Sequence, residues 1–299
     1  YRPYSLFPDK NLSNAIEEYE PDIIFIPVER FYKFKNIPIV TMLQNMEPFT
    51  SKSLLNTKKI NLKLTVQKLV GQKALENSDG IICISHFVKD FLINELNIPK
   101  LKTSLIYHGI SNPISKPQKL ESLHLEHDRD FIFSAGSIRP ARGLEDIIYA
   151  MDILKKNGFN NKLLIAGKIH DDALEYAKYL EKIIQEQRLS ESVKFLGSIN
   201  EKEMSWYYTN SELFVMTSKV ESFGMIAGEA MAHGCLNVSS LSPCLPEIFG
   251  DTENYYKPGD YFDLAEKIKT NLLLSDAEKS TLKEKAIKRA AKFSWDVCA

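Results

Sequence analysis

The stretch ELFVMTSKVESFGMIAGEAMAHGCLNVSS (212–240) decides the fold. It reads strand, loop, helix, glycine stop, strand. ELFVMTS (212–218) and CLNVSS (235–240) are short and continuously apolar, the pattern of strands buried on both faces of a parallel sheet. Between them Ala227, Gly228, Ala230 and Ala232 make a helix of small residues that can pack close to a sheet. Gly234 ends it. In the loop, Gly224 has no side chain, so backbone N–H groups can come close to a ligand.

The same unit recurs outward along the chain. Apolar runs read as strands at 22–27, 37–43, 80–84, 103–107, 131–136, 162–167 and 193–197. Amphipathic stretches at 60–77, 85–97, 143–156, 171–188, 224–233 and 262–274 read as helices between them. Strands alternating with helices mean an α/β fold with mainly parallel sheets. The weakest region for structure is SNPISKPQKLESLHLEHDRD (111–130), so two Rossmann-like domains are expected, 1–127 and 128–299. Residues 1–127 hold 16 Lys+Arg and 13 Asp+Glu, and the remainder 22 and 26. Ligands of open α/β sheets bind at the carboxyl ends of the strands, so a cleft between two such sheets is the expected site.

Composition narrows the class. The 299 residues carry a net charge of −1 with 44% hydrophobic residues, which argues against a nucleic-acid-coating protein. No apolar run reaches the roughly 18 residues of a transmembrane helix. Cys83, Cys235, Cys244 and Cys298 form no CxxC, so neither a disulfide framework nor a zinc site is expected, and a reduced, cytoplasmic setting fits. The six histidines show no metal spacing. The chain opens on ordinary domain sequence at Tyr1, without an initiator Met.

Two further features carry chemistry. In FIFSAGSIRPARGLEDIIYAM (131–151) a strand ends at Gly136, and Arg139 and Arg142 lie in the loop before a helix that opens at Gly143. Two guanidiniums beside a helix start suit a diphosphate, although solvated loop arginines give the same pattern. Glu221 precedes the helix of 225–233 and Glu229 lies inside it. A rise of about 1.5 Å per residue separates them too far for a tight acid–base dyad, so hydroxyl recognition is preferred.

These pieces together resemble the family 4 glycosyltransferases, retaining enzymes of the GT-B fold. ESFG with its helix resembles their donor-binding signature, and AGSIRPARG (135–143) their phosphate loop. SDGIICISHFVKDFL (78–92), LIYHGIS (105–111), the run 193–218 and KFSW (292–295) match in the same order. The resemblance implies a hexosyltransferase that moves sugar from a UDP- or GDP-sugar to a glycan or lipid-linked acceptor in bacterial surface polysaccharide synthesis. Arg139 and Arg142 would hold the diphosphate, and Glu229 the ribose. Glu221 with Ser222, Phe223, Gly224, Met225 and Ile226 would contact the sugar and distal phosphate, near Gly136. Gly197, Ser198 and Ile199 would lie by the base. Gln44, Asn45 and His108 are the acceptor-side candidates. No cofactor, metal or nucleic-acid partner is implied.

The chain departs from that pattern. Arg142 stands where the family usually has Lys, and Gln44-Asn45 where it often has His near the reacting sugar. Pro243-Cys244 replaces Gly-Gly before Pro246-Glu247. The family's N-terminal Gly-rich loop is not found, so roughly the first βαβ unit is expected to be absent. The last helix is expected to cross back to the first domain. The stretch 51–73 carries Lys52, Lys58, Lys59, Lys63, Lys68 and Lys73 with no acid, a pattern for contact with an anionic membrane or equally for a solvated helix face. Tyr207 and Tyr208 read as packing residues. A non-catalytic nucleotide-sugar-binding protein and a nucleotide-sugar epimerase remain the alternative readings.

Overall fold

A computed structural model describes residues 10–30, 32, 34, 36–50, 55–119, 130–252 and 254–298. The boundary expected near His127 lies outside the described residues, as do Tyr1 and Lys52.

The described chain builds two parallel sheets. The first contains β1 (Ile24–Ile26), β2 (Ile39–Leu43), β3 (Gly80–Cys83) and β4 (Thr103–Leu105), in that spatial order. The second contains β5 (Phe131–Ala135), β6 (Lys162–Ala166), β7 (Val193–Gly197), β8 (Leu213–Met216), β9 (Asn237–Ser240) and β10 (Asn254–Tyr256). Its order is β10-β9-β8-β5-β6-β7, so β5 pairs with both β6 and β8. The chain winds outward one way from β5 and then returns to wind the other way from β8. Crossovers on opposite sides leave a crevice at the carboxyl ends of these two strands.

Helices fill the connections. Around the first sheet are α1 (Lys10–Tyr19), α2 (Glu47–Thr50), α3 (Lys58–Asn77) and α4 (His86–Asn94). Around the second are α5 (Leu144–Lys156), α6 (Leu174–Glu186), α7 (Glu201–Asn210), α8 (Met225–Ala232), α9 (Leu245–Phe249) and α10 (Tyr261–Leu272). The chain closes with α11 (Asp276–Ala290) and α12 (Trp295–Cys298).

Strand alternation sorts the core. Phe131, Phe133 and Phe214 pack against the rings of α7 and join Leu43, Ile81, Val88 and Phe223 in one buried cluster. Ile132, Leu163, Leu213 and Val215 point the other way, onto α5, α6 and α10. Each buried Phe or Leu contributes about 1.5–3 kcal/mol, so a core that crosses between the sheets fixes their relation strongly. The C-terminal segment returns to the first sheet. Ile110 N donates to Phe293 O at 2.7 Å, and the Phe293 ring meets Tyr107 edge-on at 5.4 Å. A Cβ on Gly109 would lie 2.4 Å from Trp295, so α12 sits directly on the turn after β4.

Candidate functional site

The loops after β5 and β8 are stitched together before any side chain acts. Lys219 N donates to Ala141 O at 2.8 Å, and Thr217 Oγ1 to Arg142 O at 2.7 Å. Gly143 caps α5 at φ 59°, and Gly136 turns the chain off β5 at φ 126°, both left-handed conformations that suit glycine. A Cβ on Gly136 would lie 3.1 Å from Arg142 Nε, so the guanidinium passes against bare backbone.

Arg142 is the centre of this loop pair. Its Nη1 donates to Ser218 Oγ at 3.0 Å and pairs with Glu221. Burial and the nearby Arg139 charge lower its pKa to about 10, which leaves it cationic at neutral pH. Arg139 takes another direction. Its Nη1 donates to Glu47 Oε2 of α2 at 2.7 Å, across the gap between the sheets. Its Nε is buried with no hydrogen-bond partner among the described residues. Sequence spacing put both arginines on one ligand. The structure turns Arg142 to Glu221 and Arg139 to Glu47, close enough for their charges to interact.

The Ser222–Ile226 loop meets the first sheet. Ser222 Oγ donates to Gln44 O, and Ser222 O accepts from Ser85 Oγ at 2.7 Å. Phe223 is buried against Tyr107, His108 and Phe293. Burial also lowers the His108 pKa, which favours the neutral ring. Gly224 starts α8, with Met225 and Ile226 in its first turn.

Glu229 lies one turn along α8. Tyr208 OH donates to its Oε2 at 3.1 Å. Burial raises the Glu229 pKa against that hydrogen bond, and the Glu201 charge raises it further. Both carboxylates line a cavity of 270 Å³, with Ile199, Met204, Tyr208 and His233. Gly197 and Ser198 are exposed at the end of β7, next to Ile199. Tyr208 therefore does more than pack. It holds a carboxylate, which its place in an aromatic run did not reveal.

On the first sheet, Glu29 organises the loop after β2. It accepts from Asn45 N at 2.6 Å and from Gln44 N. Burial raises the Glu29 pKa, while these backbone donors lower it. The Gln44 side chain turns back to Met42 Sδ at 3.2 Å, so Gln44 meets the opposite loop through its carbonyl. Glu247 of α9 crosses in the other direction. It accepts from His86 N at 2.7 Å, Phe87 N at 3.3 Å and Tyr107 OH at 2.7 Å, and so caps α4 from the other sheet. Local sequence carried no signal for Glu29 or Glu47, because their partners are distant in the chain. Ser218 lies inside the quoted motif and was findable as its last strand-end hydroxyl.

On α3, Ile60, Gly71, Ala74 and Leu75 are buried, while Leu62 and Leu69 are 68% and 65% exposed. Lys63 pairs with Asp172 at 2.6 Å, a second contact between the sheets. Among the described residues no helix is long and apolar enough to cross a membrane.

Comparison with known proteins agrees with this fold. The family model described as "Glycosyl transferases group 1" matches residues 115–293, and "Glycosyltransferase Family 4" matches residues 1–112. An uncharacterized glycosyltransferase of Methanocaldococcus jannaschii is 30% identical over 227 residues, covering 75% of this chain and 58% of that one. A serotype-specific mannosyltransferase of Escherichia coli is 26% identical over 228 residues, covering 74% of this chain and 28% of that one. The chain thus spans less than two thirds of either relative. Sucrose-phosphate synthase from Thermosynechococcus elongatus superposes with a TM-score of 0.77 at 21% identity, over 96% of this chain and 73% of that one.

Proposed function

The chain belongs to the group 1 glycosyl transferases and has their GT-B fold, and from that premise we propose that it works as a retaining hexosyltransferase using a nucleoside-diphosphate sugar. The observation that carries the reading is the meeting of Arg142, Glu221 and the start of α8 at one crevice, beside the Glu229 cavity. Breaking the anomeric C–O bond leaves its electron pair, and so negative charge, on the distal phosphate oxygen. A buried guanidinium and the N–H groups at a helix N-terminus stabilise that charge, and they lie in place before the reaction begins. Glu229, steadied by Tyr208, takes the ribose hydroxyls. Glu221 takes hydroxyls of the transferred sugar once the diphosphate draws Arg142 from it. The acceptor hydroxyl attacks on the face the diphosphate leaves, and its proton passes to the departing phosphate oxygen. Gln44 has no base to offer, so its part is positional, through its carbonyl to Ser222.

Side-chain cations meet the diphosphate charge in this scheme, so no metal or other cofactor is called for. The transferred sugar is a hexose and the acceptor a glycan or lipid-linked saccharide of a bacterial surface polymer. The resemblance of the motifs and the mannosyltransferase relative support this. The test is transfer from GDP- and UDP-hexoses to a lipid-linked saccharide, with the product anomer assigned by NMR. Retained configuration, activity that persists in EDTA, and a drop of at least about 100-fold in Arg142→Ala are expected. An inverted anomer rules out the retaining scheme. A second reading, a nucleotide-sugar-binding partner without transferase activity, draws on Gln44 in place of the usual His, and any sugar transfer ends it.

The cell setting proposed is cytoplasmic, with α3 resting on an anionic membrane. Leu62, Val66 and Leu69 form an exposed apolar stripe among Lys59, Lys68 and Lys73. Co-sedimentation with phosphatidylglycerol vesicles, lost at high salt and in Leu62→Glu/Leu69→Glu, is the expected result. Equal sedimentation with neutral vesicles counts against it.

A further inference from the structure

We propose that the cavity beside Glu229 is built for guanine and that Glu201 selects it, an inference that rests on the nucleotide-sugar reading above. The cavity joins the first turn of α7 to α8 and to the chain just after β4. Ile114, Ile199 and Met204 give it apolar walls against which a flat base can lie. Its polar lining is unusual in sign. Among the described residues it includes Glu201, Glu229, Tyr208 and His233, and no Lys or Arg. The phosphates are left to Arg142, outside this cavity. What enters here must present hydrogen-bond donors to carboxylates.

The two carboxylates have different duties. Glu229 is held by Tyr208 and lies deep on α8, where a ribose attached to the diphosphate must pass. Glu201 stands at the first position of α7, exposed at the rim, and makes no hydrogen bond or ion pair among the described residues. Asn200, beside it, has its Oδ1 occupied by Lys202 N and Glu203 N, both at 3.0 Å. Only its Nδ2 donors are left to face a ligand. The rim therefore offers an acceptor pair, Glu201, next to a donor, Asn200.

That order matches one base edge. Guanine presents O6 as acceptor, then N1–H and N2–H₂ as adjacent donors. A carboxylate, which only accepts, can take both donors while an amide N–H reaches O6. Uracil and thymine present a single N3–H between two carbonyl oxygens, so a carboxylate that meets the N–H also meets an oxygen. Adenine puts the N1 lone pair where guanine has N1–H. His233 is committed elsewhere, with Nδ1 on Glu229 O at 2.7 Å and Nε2 on Ser205 Oγ at 2.8 Å, so it does not compete for the base.

The experiment is calorimetric titration of the 299-residue chain with GDP, UDP and inosine diphosphate, which lacks the guanine N2 amine. GDP is expected to bind at least about tenfold more tightly than either of the others. Glu201→Gln is expected to weaken GDP about tenfold while leaving UDP unchanged, and Glu229→Ala to weaken GDP and UDP alike. UDP binding as tightly as GDP overturns the guanine assignment and leaves the nucleotide site standing. A GDP preference that survives Glu201→Gln overturns the role of Glu201. A folded wild-type chain that binds none of the three overturns this inference and the nucleotide-sugar reading together.

Discussion

Arg142 shows how much a single side chain depends on backbone it does not belong to. Its guanidinium passes Gly136, reaches Ser218 and pairs with Glu221. Its carbonyl is tied by Thr217, at the base of a turn that Gly143 closes. Gly143 sits at φ 59°, and a Cβ there would lie 2.6 Å from Thr217 O. Backbone oxygen cannot step aside as a flexible side chain can. Gly143→Ala is therefore expected to cost about 2–4 kcal/mol, the left-handed conformation and the contact together. Urea denaturation reads this directly, and a loss under about 0.5 kcal/mol means that the loop pair is looser than described. Sequence reading singled out Arg142 and Glu221 because they lie in loops before helix starts, and Glu229 because it lies inside the helix that follows Glu221. It could not find Glu29, Glu47 or the Tyr208 hydroxyl contact, whose meaning lies wholly in residues far along the chain.

Between elements the main joint is α7 against α8. His233, at the end of α8, bonds Glu229 O of its own helix and Ser205 Oγ of α7. Both helices line the cavity, so this ring fixes the distance between its walls. Burial lowers the His233 pKa below the usual 6.5. The unfolded chain then takes up a proton near pH 6.5 that the folded chain refuses until lower pH. Stability from this group is fully present above about pH 6.5 and is lost as pH falls toward the depressed folded value, by up to about 1.4 kcal/mol per pH unit. The raised Glu29 and Glu229 act oppositely, since the fold takes their protons first as pH falls. The comparison with His233→Gln isolates the ring. The variant is expected to lose less stability than the wild type between pH 7 and 5, and parallel curves refute the assignment. Helix and strand alternation was legible here, but α7, α11 and β10 were among the elements that were not. α7 and α11 bury few apolar side chains, so their period is faint. β10 is a three-residue edge strand that pairs only with β9. The long apolar strands β5, β6 and β8 read plainly because both faces of each are buried.

At the scale of the molecule, the two sheets meet through charges as well as through the shared core. Glu47 bonds Arg139, and Lys63 bonds Asp172, each across the gap. Glu47 is 8% exposed, so its charge is poorly screened, and it is the carboxylate bonded to Arg139, whose charge also acts on Arg142. If Arg139 is to serve a diphosphate, the ligand must draw it from Glu47, and whatever that pair contributes to the empty protein is subtracted from binding. Glu47→Gln keeps a hydrogen-bond acceptor for Arg139 and removes the charge. The empty variant should be less stable by about 1–3 kcal/mol, because two neighbouring guanidiniums lose a buried counter-ion. Adding pyrophosphate or GDP should then stabilise it more than the wild type at matched concentration, since the ligand supplies the missing negative charge and no longer competes for the arginine. Thermal melts with and without ligand measure both quantities. A larger ligand shift in the variant assigns Arg139 to the diphosphate. An equal shift means that Arg139 keeps Glu47 throughout, that its work is to hold the two sheets together, and that Arg142 with the start of α8 meets the phosphates unaided.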